Sequence, residues 1–244
     1  MDITGNIILI TGGSSGIGLE LLKYFYHLDN KIIIVGRNLE KLKNIQIQYP
    51  KIDIFQCELS QQAEIERLSE YIQNNHPNLN LLFNNAAIQY NYDLKSDSDL
   101  IEKIDYELNV NLNSLIKISY LLLPTLLKNP KSAIINLSSG LAISPKKSAP
   151  VYCASKAAIH SFTKSLRYQL EGTHVRVIEI IPPIVDTPMT EGRGKNKLSP
   201  ENLVIEFIRG FKKNKEELYI GKSKILKFIH RISPKIADKI LKNG

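Results

Sequence analysis

Residues 7–18, Ile7-Ile8-Leu9-Ile10-Thr11-Gly12-Gly13-Ser14-Ser15-Gly16-Ile17-Gly18, decide how the chain reads. Four consecutive apolar residues predict a strand buried on both faces, since a strand with one wet face alternates. The glycines that follow stand as Gly-x-x-x-Gly-x-Gly, and Leu19, Leu22 and Phe25 then recur at helical spacing. A strand that turns through glycines into a helix lets backbone approach a ligand closely. It also aims unpaired helix N–H groups at that ligand, an arrangement suited to a dinucleotide pyrophosphate. The competing reading is an ordinary glycine-rich turn; the position between a first strand and a helix favours the nucleotide.

The same alternation runs outward from this turn. Apolar runs at residues 32–35, 52–57, 79–83, 133–137 and 175–181 read as strands. Amphipathic stretches at 39–49, 61–74, 100–127 and 151–170 read as helices between them. Buried strands alternating with helices imply right-handed βαβ units. The predicted fold class is therefore α/β: a doubly wound, Rossmann-like parallel sheet in a single domain over residues 1–244. Residues 186–200, polar and rich in Gly and Pro, read as a mobile substrate loop. Residues 218–244 read as a basic C-terminal extension.

Composition sets outer bounds. The 244 residues are 43% hydrophobic and 23% charged, which excludes disorder and collagen-like repeats. A chain of this size buries roughly 70–75% of its unfolded surface and needs no disulfide or metal to fold. Cys57 and Cys153 match no zinc spacing, and no His, Cys or carboxylate cluster suggests a metal. The low cysteine count points to a reducing cytoplasm. The opening Met1-Asp2-Ile3-Thr4-Gly5-Asn6 lacks a basic n-region, and no run approaches a membrane-spanning length, so neither leader nor span is expected. The net charge of +8 raises a polyanion partner as a possibility. Its excess lies mainly after Arg193, without interleaved aromatics or a recognition motif, so nucleic acid is not expected.

Two further features carry chemistry. The second strand ends at Val35-Gly36-Arg37, where an enzyme selecting NAD usually has an acid for the ribose 2′-hydroxyl. A guanidinium binds a 2′-phosphate bidentately, so Arg37 predicts NADP(H) in preference to NAD(H). Tyr152 and Lys156 stand four residues apart on one predicted helical face. A neighbouring ammonium favours phenolate, which makes Tyr152 a general acid/base candidate near neutral pH. Ser139, upstream of the pair, is placed to donate a hydrogen bond to a substrate carbonyl oxygen.

Together these residues resemble the short-chain dehydrogenase/reductase family in its single-domain branch. The resemblance runs from Ile7 to about Met189. Its motifs are Thr11-Gly12-x-x-x-Gly16-Ile17-Gly18, Asn84-Asn85-Ala86-Ala87, Asn111, Ser139, Tyr152 with Lys156, and Pro182-Pro183-Ile184-Val185-Asp186-Thr187. Ser139-Gly140-Leu141-Ala142 and Pro150-Val151-Tyr152-Cys153-Ala154 are similar to a bacterial subgroup found with teichoic-acid D-alanylation genes. The resemblance implies an oxidoreductase moving a hydride between NADP(H) and a carbonyl/alcohol substrate. It assigns catalysis to Asn111, Ser139, Tyr152 and Lys156. Tyr152 exchanges the substrate proton, Lys156 holds the nicotinamide ribose, and Asn111, in a helix irregularity, holds a water linking Lys156 to solvent. Cofactor contacts fall to Gly12, Ser14, Ser15, Gly16, Ile17, Gly18, Arg37, Glu58, Leu59, Asn85, Ala86, Ala87, Tyr152, Lys156, Pro182, Ile184 and Thr187. The chain departs from the family pattern at Glu58, where Asp is usual, and at Ala87 and Pro183, where glycine is usual. Homo-dimers or homo-tetramers through the helices at 100–127 and 151–170 are a further implication.

Ile225, Phe228, Ile229 and Ile232 recur at helical spacing among lysines. The preferred reading is a terminal helix packed on its own domain or on an oligomer partner; peripheral membrane contact, serving a lipid-like substrate, is the alternative. A regulator that binds NADP(H) without turnover is the other competing function, and the intact Ser139, Tyr152 and Lys156 set argues against it.

Overall fold

In the computed structural model, which describes residues 2–243, the central sheet has seven strands, all parallel. They are β1 Ile7–Thr11, β2 Lys31–Gly36, β3 Asp53–Gln56, β4 Leu81–Asn84, β5 Ser132–Leu137, β6 Val175–Ile181 and β7 Glu217–Tyr219. Their spatial order is β3-β2-β1-β4-β5-β6-β7, so the direction of winding reverses between β1 and β4. Ligands bind in the crevice that such a reversal opens at the carboxyl ends of the strands.

The apolar runs explain the layering. In β1, Ile8 and Ile10 join one core and Leu9 the other; in β2, Ile32 and Ile34 face one way and Ile33 and Val35 the other. Each face therefore needs a covering of helices. The first core is closed by α1 (Gly16–Tyr26), α2 (Leu39–Gln48) and α7 (Pro200–Lys212). The second is closed by α3 (Gln62–Asn75), α5 (Ser114–Leu127) and α6 (Pro150–Gln169). Each fully buried Leu, Ile or Phe contributes about 1.5–3 kcal/mol of transfer free energy.

Several boundaries differ from the sequence expectation. Residues 100–127 are helical throughout, but α4 (Leu100–Leu108) and α5 are joined by a π-helical turn, Asn109–Asn113. By length and composition this 28-residue stretch is apolar enough to cross a membrane, contrary to the expectation that no run would be. Half of its apolar window is buried inside the protein, as befits a core helix. The loop before α7 is stitched at its base: Asp186 N donates to Leu198 O (2.8 Å), and Leu198 N to Ile184 O (3.0 Å). The extension expected from residue 218 starts later, because Leu218 and Tyr219 belong to β7. Beyond it, α8 (Ser223–Ile232) and α9 (Pro234–Leu241) form a hairpin against the domain. Leu226 and Ala237 are buried, while Ile225, Phe228 and Ile232 stay exposed.

Candidate active site

The carboxyl ends of β1, β2, β4, β5 and β6 open into one cleft of about 780 Å³. Its floor at one end is the glycine turn, where Gly12, Ser14, Ser15, Gly16 and Ile17 form the wall. Ser15 caps α1 without a side-chain hydrogen bond, which leaves the N–H groups of the first turn open to a ligand. Gly16 holds φ +53, a left-handed conformation that favours glycine. Gly18 is not on the wall but under it: a Cβ there would lie 2.4 Å from Gly12 O. Thr11 fastens the opposite lip by accepting at Oγ1 from Asn85 N (3.0 Å) and Ala86 N (3.1 Å). Asn85 Nδ2 in turn donates to Thr11 O at 2.9 Å. This cradle of glycines, two short serines and open helix N–H groups fits a pyrophosphate.

Arg37, Glu58 and Leu59 line one end of the cleft with Asn85, Ala86 and Ala87 nearby. Arg37 Nη1 donates to Tyr106 Oη (2.6 Å), whose hydroxyl donates to Glu58 Oε2 (3.1 Å). Glu58 also accepts from Ser60 N (3.1 Å), so its carboxylate is already engaged. Tyr106 went unnoticed in the sequence, where it looks like a surface residue of a charged helix.

At the other end stand Ser139, Tyr152 and Lys156, with Pro182, Ile184 and Thr187 on the facing wall. The helix that carries the pair is pinned by buried amides: Asn84 Nδ2 donates to Asn136 Oδ1 (2.8 Å), and Asn136 Nδ2 to Thr163 Oγ1 (2.9 Å) on α6. Tyr152 and Lys156 point into the cleft from one face of α6, and the Lys156 ammonium lies 5.5 Å from the Tyr152 ring centroid. Lys156 Nζ donates to Leu137 O at 2.8 Å. Burial pulls it down to about 8, and the charges of Glu179 and Glu107 oppose that shift. For Tyr152 the expectation of a lowered phenol is corrected. Burial pushes it up, helped by Cys153 and Glu107, and neither Arg193 nor a hydrogen bond from Ser139 offsets this. The phenol is therefore protonated at neutral pH.

Asn111 sits in the π turn, buried behind the cleft wall. It accepts from Ile88 N (2.8 Å) and donates to Ile88 O (2.9 Å), tying that turn to the irregular segment that follows the Asn85 lip. Two buried carboxylates behind Lys156 were missed. Glu179 accepts from Ser138 Oγ and from His160 Nδ1 (2.8 Å), and this contact raises the histidine. A lone acid inside an apolar strand was the available signal. Glu107, fully buried, accepts from Tyr92 Oη (2.7 Å) and is raised chiefly by burial; nothing in its charged surroundings announces that. Cys153 is a buried free thiol.

A doubly wound sheet with a glycine cradle and a Ser, Tyr and Lys set in one crevice defines an oxidoreductase site. The chain belongs to the short chain dehydrogenase family, whose model matches residues 6–198. Among its relatives is the uncharacterized oxidoreductase DltE of Bacillus subtilis, 42% identical over 224 residues and 89% of each chain. Two solved structures share the fold. A short chain dehydrogenase from Burkholderia cenocepacia in complex with NADP has a TM-score of 0.88 at 24% identity, covering 100% of both chains. A short chain dehydrogenase/reductase from Burkholderia phymatum in complex with NAD has 0.87 at 18%, covering 100% of this chain and 97% of the other.

Proposed function

We propose that the protein is an NADP(H)-dependent carbonyl reductase in which Tyr152 is the general acid. The observation that carries this is the convergence of Ser139, Tyr152 and Lys156 on the cleft whose floor is the glycine turn. Nicotinamide cofactors occupy the related structures named above, one as NADP and one as NAD. When bound, the cofactor supplies the hydride to the carbonyl carbon. Tyr152 Oη gives its proton to the carbonyl oxygen, so ketone and reduced cofactor become alcohol and oxidised cofactor. A protonated phenol is the form this direction requires. Ser139 donates to the same oxygen as charge develops. Lys156, charged below about pH 8, steadies the phenolate that remains and holds the nicotinamide ribose. Asn111 keeps the π turn in place and relays protons through water to Lys156.

Gly12, Ser14, Ser15, Gly16 and Ile17 hold the pyrophosphate, with Gly18 giving the turn room. Glu58, Leu59, Asn85, Ala86 and Ala87 take the adenosine half, and Pro182, Ile184 and Thr187 the nicotinamide. Arg37 turns from Tyr106 to the 2′-phosphate. The test is a comparison of NADPH with NADH on a panel of ketones and aldehydes, in the parent and in Arg37→Ala. NADPH is the better coenzyme on this reading. The variant loses about ten- to a hundred-fold in kcat/KM for NADPH, and little for NADH. Equal use of NADH by the parent refutes the preference. Exposed Ile101, Tyr120 and Tyr168 on α4, α5 and α6 support a homo-oligomer through these helices. The enzyme is taken as cytoplasmic, in keeping with two buried free thiols.

A further inference from the structure

The substrate end of the cleft is cationic. Arg193, from the loop before α7, and Lys146, from the segment before α6, both line it. Arg193 is tethered by one long hydrogen bond, Nη2 to Gln89 O at 3.4 Å, while its Nη1 is buried and has no partner. Lys146 N donates to Cys153 Sγ at 3.4 Å, which fastens its backbone to the residue after Tyr152, and both Lys146 and Tyr152 line the cleft. Its ammonium has no ion-pair partner among the described residues, and burial followed by the Arg193 charge pulls its pKa down. Lys195 and Lys222 stand further out on the same wall. Glu58 is the one carboxylate among the lining residues, and it is bound to Tyr106 at the opposite end. The buried Glu107 lies behind the wall, bonded to Tyr92 and Tyr90; its charge and that of Arg193 offset each other in part, but the two form no ion pair.

Two like charges partly withdrawn from water, one with a buried unpaired N–H, are unfavourable unless an anion joins them. Resting on the reductase reading, we infer that this end is an anion-binding subsite: Arg193 and Lys146 receive a carboxylate or phosphate carried by the substrate while Tyr152 meets its carbonyl oxygen. The substrate class is then an oxo acid or an oxo phosphate ester. A guanidinium fork grips either group through two parallel hydrogen bonds.

The test uses matched pairs that differ in charge: 4-oxopentanoate against its methyl ester, and dihydroxyacetone phosphate against dihydroxyacetone. Their binding to the full-length protein saturated with NADP⁺ is measured by calorimetry, and NADPH oxidation is followed in parallel. The anionic member of at least one pair binds about ten-fold or more tighter than its neutral mate. Arg193→Gln cuts that ratio by about ten-fold, and Arg193→Lys restores part of it. Whichever pair discriminates tells carboxylate from phosphate. Equal binding within both pairs overturns the inference. So does an Arg193→Gln variant that loses as much affinity for NADP⁺ as for the anion, since Arg193 would then clamp the cofactor. Discrimination in binding without oxidation of NADPH by any ketone removes the reductase reading and leaves the subsite standing. Reduction of neutral and charged ketones alike does the reverse.

Discussion

Gly18→Ala probes the turn on which the cleft is built. The new methyl would stand 2.4 Å from Gly12 O and 2.6 Å from Asn85 Nδ2. Ordinary contact needs about 1 Å more, and the nearer atom is backbone, so the turn itself must move. Two effects oppose each other. Alanine is favoured over glycine inside a helix by about 1 kcal/mol, and less in the first turn, where this residue sits. Against that, overpacking costs about 1–3 kcal/mol. Asn85 Nδ2 also gives up its bonds to Thr11 O (2.9 Å) and Gly12 O (3.3 Å), each worth about 1 kcal/mol. The clash wins, with a net loss of about 2 kcal/mol. For a chain of this size that is a fall of roughly 4–8 °C in melting temperature. Displacing the cradle also weakens NADPH by about ten-fold or more. The assay pairs a thermal melt with a titration of NADPH fluorescence. Gly36→Ala serves as the control for stability, because its Cβ would meet nothing closer than 3.5 Å. A Gly18→Ala protein that melts at or above the parent temperature and binds NADPH equally well refutes the reasoning.

Other outcomes follow from the charges behind Lys156. Glu179→Gln removes a charge that holds Lys156 up, so the alkaline limb of kcat/KM, set near 8 in the parent, moves to lower pH; an unmoved limb contradicts this. His160 is raised above its ordinary 6.5 by its bond to Glu179. A raised base stabilises the fold fully below the unfolded pKa and loses that contribution as pH climbs through the folded one. Urea titrations of His160→Asn should therefore show a larger deficit at about pH 5.5 than at about pH 8.5, and a pH-independent deficit argues against the pair. Asn111→Ala strips the π turn of its bonds to Ile88. It lowers turnover more than it weakens NADPH, and a wild-type rate in that variant removes Asn111 from the proposed relay.

Much of the architecture was legible because burial on both faces leaves a plain mark. Ile7-Ile8-Leu9-Ile10 and Ile32-Ile33-Ile34-Val35 show no alternation, and both are strands of the parallel sheet. Tyr152 and Lys156 were legible because four residues is one helical turn. The π turn at Asn109–Asn113 was not, since a shift to i→i+5 bonding has no residue-type signature. Three-residue β7 is too short to show a period and exists because β6 offers it an edge. Arg193 and Lys146 come from loops far apart in sequence and meet at the cleft only in the folded chain. The same holds for Tyr152 itself: proximity to a lysine was readable, but the depth of burial that keeps its proton on was not.

The central claim is that the Tyr152 hydroxyl delivers the proton, and Tyr152→Phe tests it directly. Turnover of the best ketone is compared at saturating NADPH, with the coenzyme Kd measured on the same preparation. The account predicts a rate lower by about 10²- to 10⁴-fold with the Kd for NADPH changed by no more than about three-fold. A variant that keeps a tenth or more of the parent rate would contradict it.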